Sequence, residues 1–405
     1  MDLKDRLLWV SKEEEIKSGE TTDIYFVYSS EVIRKKVKER KVVMEVYARK
    51  FPYDANWGVL CGVYEVVKLL EGLPLNLRAM EEGEIFLADE KSSIYEPVLQ
   101  IEANYPDIAI YENPILGFLC FTSGIATKAA RLRMLAKDRM LFSFGTRRTH
   151  PAIAPSIERA TYLAGFDGVS NVLGAKLMGK KPVGTMPHAM MLCFGSTKEA
   201  WKAFDETLPD DVPRIALIDT FGDEKQEALE ALEVFGEKLN GIRIDTPSSR
   251  RGNIRKIVEE VKWELSLRGA KDVKIYVSGG IDEQDIEELR DLVYGFGVGT
   301  SVSSAPVIDF SAKIVQVFEL GKWKPIAKRG DIAGKKEVFR KQDALKDMVT
   351  LYGREKPEGY KSLLKDFIVE GKIVRDFKSL DEIREDLKRK LKLIEEFGAS
   401  LEWRI

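Results

Sequence analysis

Two histidines, His150 and His188, are the only imidazoles in the chain, and both fall in one short window beside an adjacent arginine pair, Arg147-Arg148. Imidazole is the side chain that exchanges protons near neutral pH. A pair of guanidiniums offers forks of donors that fit a carboxylate or a phosphate. The apolar run Met140 to Phe144 leads directly into Gly145-Thr146-Arg147-Arg148-Thr149-His150, so these groups emerge where a strand ends. Strand ends are where α/β architectures carry their chemistry. Read without that context, the same cations are a plain exposed basic turn.

Further along, other apolar runs end in usable groups. RIALID ends on Asp219, and GIRID presents Arg243 and Asp245 and leads on to the serine pair Ser248-Ser249. KIYVSGG ends on Ser278-Gly279-Gly280, and YGFGVGT ends on Gly297, Gly299 and Thr300. Glycine turns beside a hydroxyl can cradle a phosphate with backbone N–H groups. Neighbouring carboxylates can hold Mg²⁺ or a sugar hydroxyl. Singly, SGG and GxGT are ordinary turns and the aspartates are ordinary caps. In combination they imply a pocket for a monophosphate, a sugar and an acidic partner.

The elements that must position these groups alternate. Strands are expected at Met140 to Phe144, Gly168 to Asn171, Pro182 to Thr185, Arg214 to Asp219, Gly241 to Asp245, Lys274 to Ser278 and Tyr294 to Gly297. Helical patterns fall between them, at 154–164, 172–178, 197–204, 225–239, 253–268 and 283–292, and Ser196 with Glu199 reads as a capping box. Such alternation predicts parallel strands with crossover helices, and without one dominant glycine fingerprint it favours an irregular, TIM-like α/β barrel. Before it, Lys41 to Ala48 alternates as a strand and Trp57 to Glu71 as a helix, which predicts an α+β unit over 1–112. The helical stretch Asn113 to Lys137 leads into a barrel domain over 113–325, and its small residues Ser123 to Thr127 would let another backbone or a ligand approach. Residues 326–405 are expected to return to the N-terminal unit and complete an α/β sandwich.

Composition narrows the partners. A net charge of −2 with no basic block argues against nucleic acid, and 44% hydrophobic residues fit a globular chain. Cys61, Cys120 and Cys193 are far apart, which argues against disulfides and zinc. No apolar segment of bilayer length is read, and the expected setting is the cytoplasm. Five glutamines among many Lys and Glu lean towards a thermophile.

The segments FGTRRT and YLAGFDGVSNVLGAKLMGKKPVGTMPHAMM, with TTDIYF near the start and AGKKEVFR near residue 340, resemble the type II phosphoribosyltransferases, and within them the nicotinate phosphoribosyltransferase branch. The resemblance implies formation of nicotinate mononucleotide and pyrophosphate from nicotinate and 5-phosphoribosyl-1-pyrophosphate (PRPP), in NAD biosynthesis. It further implies Mg²⁺, ATP coupling through a phosphorylated His188, and a homo-oligomer with shared sites. Tyr25 of a partner subunit and Phe144 would stack on the pyridine ring. Arg147 and Arg243, with Arg148, His150 and Ser170 nearby, would meet nicotinate or pyrophosphate. Asp219 and Asp245 would face the ribose, the pyrophosphate or the metal. Ser278, Gly279, Gly280, Gly297, Gly299 and Thr300 would hold the 5′-phosphate.

Thr149-His150-Pro151 and GVGTSVSSAP are closer to the quinolinate phosphoribosyltransferase branch, whose substrate carries a second carboxylate. That branch has a His-Arg pair after the asparagine of the second motif and a lysine at the third strand. Here Val172-Leu173 and Thr185-Met186-Pro187 stand in those places, and a buried second carboxylate would lack cations. The monocarboxylate is therefore preferred. A non-catalytic sensor of phosphoribosyl nucleotides is the remaining alternative, and Asp219 with Asp245 argues against it.

Overall fold

The computed structural model describes residues 6–89, 94–247, 249 and 252–404, and Ser248 lies outside them. The chain forms two compact units, one of residues 1–127 with 306–405 and one of residues 128–305. The expected barrel limits of 113 and 325 are therefore corrected at both ends. Strand Phe310–Glu319 explains the later one, because it pairs along Lys41–Ala48 and so belongs to the sandwich.

In the unit of residues 128–305, six parallel strands stand in the order Gly168–Val169, Met140–Ser143, Gly295–Val298, Lys274–Val277, Leu239–Ile244, Arg214–Leu217. The first strand in sequence lies beside the last, with Ser143 opposite Val298, so the sheet curls round on itself. The two outer strands, Gly168–Val169 and Arg214–Leu217, do not pair, which leaves a half-barrel open on one side. A seventh strand was expected at Pro182 to Thr185, and none forms there. Proline has no N–H to donate to a ladder, and the segment keeps one bond, Val183 N–H to the Val169 carbonyl at 2.9 Å. After it comes an unforeseen short helix, His188–Phe194, entered from an extended Pro187. Side-chain caps start several helices, Asn171 on Gly174, Asp223 on Gln226 and Asn253 on Lys256. At Ser196 only half of the expected capping box forms, since Glu199 turns instead to Lys202.

The other unit is a sandwich. A seven-stranded antiparallel sheet carries strands Lys41–Ala48, Leu99–Asn104 and Leu75–Ala79 at its centre, and strand Lys365–Val369 pairs back onto the last of these. Facing it is a four-stranded sheet containing Lys336–Lys341 and Leu345–Leu351. Val46, Leu77, Ile101, Val338 and Val349 meet in the core between them. AGKKEVFR acts here as an ionic staple. Lys336 Nζ reaches Glu45 at 2.7 Å and the carbonyls of Ile332 and Gly334 at 3.0 Å, with both charged side chains at most 1% exposed. Arg340 is likewise buried between Glu84 and Asp347. Fully satisfied pairs of this kind fix register even where they add little net stability.

The helix Glu112–Ala136 corrects one expectation, because the stretch Tyr105–Ala136 is long and apolar enough to cross a bilayer by length and composition. Its packing is that of an interior helix. Ile115, Leu119, Ile125 and Ala126 are fully buried, Ser123 Oγ bonds both backbone groups of Cys61, and Thr127 Oγ1 accepts from Val59. A Cβ on Gly124 would lie 2.3 Å from the Pro306 carbonyl oxygen, so the small residues do serve close backbone approach.

Candidate active site

The strand ends of the half-barrel bring one cluster together. Strand Leu239–Ile244 carries Arg243 and delivers Asp245 just past its end, and strand Arg214–Leu217 delivers Asp219 two residues beyond its own. Asp219 Oδ2 accepts from the backbone N–H of Asp245 at 3.0 Å and from Thr246 Oγ1 at 3.1 Å. Its other oxygen, Oδ1, is buried without a hydrogen-bond partner. His188 Nε2 lies 3.7 Å from that oxygen and 3.6 Å from Asp245 Oδ2, between the two carboxylates. The ring is held from behind by Thr220 Oγ1, 3.1 Å from Nδ1. Thr220 is itself fixed, since Glu227 accepts the backbone N–H groups of Thr220, Phe221 and Gly222 at 2.7–3.0 Å.

Arg243 joins the cluster at 3.4 Å from Asp245 Oδ1, and it donates to Ser278 Oγ at 3.0 Å and to the Met186 carbonyl at 2.8 Å. Ser278 in turn donates to Asp245 Oδ1 at 2.6 Å. Burial lowers the Arg243 pKa; the carboxylates of Asp245 and Asp219 work against this, and the Arg147 charge adds to it. That coupling places Arg147 within electrostatic reach of the cluster. Arg147 and Arg148 lie on the exposed turn Thr146–Arg148, where the Arg148 N–H donates to the Gly145 carbonyl at 2.9 Å, and their side chains make no hydrogen bond or ion pair among the described residues. Burial raises the Asp219 carboxyl above its usual pKa, with His188 opposing it.

The glycines divide into different roles. Gly279 and Gly280 both have positive φ, at +88° and +84°, and a Cβ on Gly279 would sit 2.7 Å from the Asp245 carbonyl oxygen. Gly297 is different: its missing Cβ makes room for the Phe144 ring, 2.4 Å away, so this glycine seats an aromatic. Gly299 lies behind Phe144 and precedes the single turn Thr300–Ser303. Ser170 takes a backbone bond from its N–H to the Ser143 carbonyl at 3.2 Å. His150 is exposed, and its Nδ1 accepts from the Ala152 N–H in a local turn, away from the carboxylate pair in its bonding. Tyr25 belongs to the other unit, on the helix Ile24–Lys36, where it is 57% exposed.

Thr220, Thr246 and Glu227 in the cluster, and Glu158 beside the Arg147 turn, have no counterpart among the sequence candidates. Glu227 and Glu158 are 2% and 1% exposed, each on the inner face of an amphipathic helix. A carboxylate in an apolar stripe was the signal that could have found them.

Among the described residues no set of three or more His, Cys, Asp or Glu side chains forms a metal cage. The donor set nonetheless fits Mg²⁺, which binds through one or two carboxylates and takes its remaining ligands from water and phosphates. Asp219, with an unpartnered oxygen, and Asp245 would be those carboxylates.

A parallel half-barrel with carboxylates and arginines at its strand ends, carried with an antiparallel sandwich, is the architecture of the type II phosphoribosyltransferases. Family models for the N-terminal and C-terminal domains of quinolinate phosphoribosyl transferase match residues 23–123 and 125–313. The chain belongs to the quinolinate phosphoribosyltransferase family. It is 48% identical to a crystal structure of nicotinate-nucleotide pyrophosphorylase from Pyrococcus furiosus, with 97% of this chain and 99% of that one covered and a TM-score of 0.91. It is 28% identical over 354 residues to a nicotinate phosphoribosyltransferase of Mycobacterium tuberculosis, covering 79% of this chain and 75% of the relative. With the enzyme of the same name from Bacillus subtilis it shares 26% over 364 residues, covering 79% and 72%. A human nicotinic acid phosphoribosyltransferase, at 19% identity and TM-score 0.74 over 92% of this chain and 94% of that one, shares the fold.

Proposed function

We propose that the chain is a nicotinate phosphoribosyltransferase, joining nicotinate to the ribose of PRPP with release of pyrophosphate, a step of NAD biosynthesis. The observation that carries this reading is the Asp219–Asp245 pair, linked at 3.0 Å through the Asp245 N–H and facing His188 and Arg243 on one rim. Displacement at an anomeric carbon spreads positive charge over the sugar and negative charge over the departing pyrophosphate. The two carboxylates stabilise the first, and Arg243 with Arg147 stabilises the second or clamps the acceptor carboxylate. Mg²⁺ held by Asp219 and Asp245 would neutralise pyrophosphate charge. Gly279 and Gly280, with Ser278, Gly299 and Thr300, are assigned to the 5′-phosphate, while Gly297 seats Phe144 against the pyridine. Arg148, His150 and Ser170 border the acceptor side.

The choice of nicotinate over quinolinate rests on the entrance to helix Val172–Leu177. Val172 and Leu173 are 72% and 53% exposed where the quinolinate branch has its His-Arg pair, and Met186 is buried where that branch has a lysine. A second carboxylate finds no cation at either place.

In this reading ATP stimulates the reaction through phosphorylation of His188, and the enzyme works in the cytoplasm as a homodimer or higher oligomer. Supporting the shared site, Ile24, Tyr25, Tyr28 and Val32 form one exposed apolar face of helix Ile24–Lys36, and Leu173, Leu177 and Leu192 are exposed on the half-barrel. The test is to incubate the protein with nicotinate, PRPP and Mg²⁺ and to weigh the product by mass spectrometry. Nicotinate mononucleotide is expected, and its absence would refute the assignment.

A further inference from the structure

Helix Ala154–Leu163 turns Ile157, Ala160 and Leu163 inward, and Glu158 goes in with them at 1% exposure. Its Oε1 accepts from Thr146 Oγ1 at 2.9 Å and from the backbone N–H of Asn171 at 3.3 Å. Its Oε2 is buried with no hydrogen-bond partner among the described residues. Helix Val172–Leu177 packs on the stem of the same side chain, since a Cβ on Gly174 would lie 3.0 Å from both Cβ and Cγ of Glu158. Burial raises the carboxyl above its ordinary pKa, and Ser143, Thr146 and Asn171 oppose the shift. An apolar side chain would fill this space without desolvating a carboxyl, so packing alone does not account for a glutamate here.

What the carboxyl does is join two loops. Thr146 opens the turn Thr146–Arg148 that carries Arg147, and Asn171 caps helix Val172–Leu177 directly after Ser170. We propose that Glu158 is a positioning residue for the acceptor: by holding the Thr146 hydroxyl and the Asn171 N–H on one oxygen, it fixes the Arg147 turn against the Ser170–Asn171 corner, so that the guanidinium meets the carboxylate of the pyridine acid. The inference rests on the nicotinate reading and names the group that sets its acceptor geometry. A fork-to-carboxylate contact depends on orientation, and misplacement by about 1 Å is enough to lower productive binding by roughly 10².

The test uses the full chain with Glu158→Ala, Glu158→Gln and Thr146→Ala. Steady-state kinetics would be joined to hydrogen exchange of the peptides spanning 144–150 and 168–175. Glu158→Ala should raise the KM for nicotinate by about tenfold or more while kcat and the KM for PRPP stay within about threefold. Glu158→Gln, which keeps an acceptor oxygen at Oε1, should restore most of the loss, and both peptides should exchange faster in the alanine variant alone. If Glu158→Ala does not fold, Thr146→Ala removes the same bond from the half-buried end and should raise the nicotinate KM in the same selective way. An unchanged nicotinate KM, equal rises for both substrates, or unaltered exchange in 144–150 would each overturn the proposal. Absence of turnover by the unsubstituted protein would sink the functional reading instead, and the exchange result would still decide whether Glu158 ties the two loops.

Discussion

Asp219 and Asp245 are locked together through the backbone: the N–H of Asp245 donates to Asp219 Oδ2 at 3.0 Å, while the other Asp219 oxygen is left buried and unpartnered. One carboxylate thereby aims its neighbour. The other Asp219 oxygen and the Asp245 carboxylate face His188 Nε2 together, at 3.7 and 3.6 Å, and in the proposed reaction they would stabilise the cationic sugar.

Asp245→Asn keeps the side-chain shape and the Ser278 contact but removes the charge. It should lower kcat by roughly 10²–10³, about 3–4 kcal/mol of transition-state stabilisation, with little change in melting temperature. Steady-state kinetics beside a thermal melt checks this, and a variant of native rate would remove Asp245 from the chemistry.

His188 is held by Thr220 at Nδ1 and leaves Nε2 towards the carboxylates. His188→Ala should abolish stimulation by ATP while leaving slow PRPP-dependent transfer. Rates measured with and without ATP decide it, and stimulation of the usual size in the variant would strip His188 of that role.

Tyr25 is exposed on a helix of the sandwich unit, and the shared-site account brings it to the half-barrel of a partner copy. Mixed Tyr25→Ala and Asp245→Ala chains should recover part of the activity that each lacks alone, because a hybrid dimer rebuilds one intact site. No recovery after subunit exchange would mean that each chain works with its own residues.

Glu112 sits at the start of the long interior helix, where burial pushes its pKa up to about 7 and Lys313 only partly opposes the shift. The folded state therefore keeps its proton where the unfolded chain, with a carboxyl near 4.3, has lost it. Stability should fall as pH rises from about 4.5 to 7 and then level off. Glu112→Gln should cancel that slope, matching the parent at pH 4 and exceeding it by roughly 1–2 kcal/mol at pH 8 once partial solvent contact is allowed for. Urea melts at the two pH values measure it, and an equal gap at both would contradict the assignment.

Much of the half-barrel was legible because apolar runs that end in charge or glycine are local signals, and parallel strands with crossover helices follow from their alternation. Pro182 to Thr185 misled because Val183 and its neighbours have strand composition while Pro182 lacks the donor that a ladder needs. The opening between the second and third strands was not legible either, since which strands pair is a long-range property. Gly297 shows the limit for sites. A glycine near a strand end reads the same whether it cradles a phosphate or seats a ring, and only the Phe144 contact separates the two. The lysines of AGKKEVFR were visible as a motif, but the staple from Lys336 to Glu45 spans 291 residues of sequence.

Pyrophosphate release from PRPP, followed in parallel with nicotinate, nicotinamide and quinolinate as acceptors, tests the central claim most directly. Nicotinate should turn over, with one pyrophosphate per nucleotide formed, and the amide and the diacid should not. Turnover confined to quinolinate with loss of carbon dioxide, or nucleotide binding with no pyrophosphate from any acceptor, would contradict it.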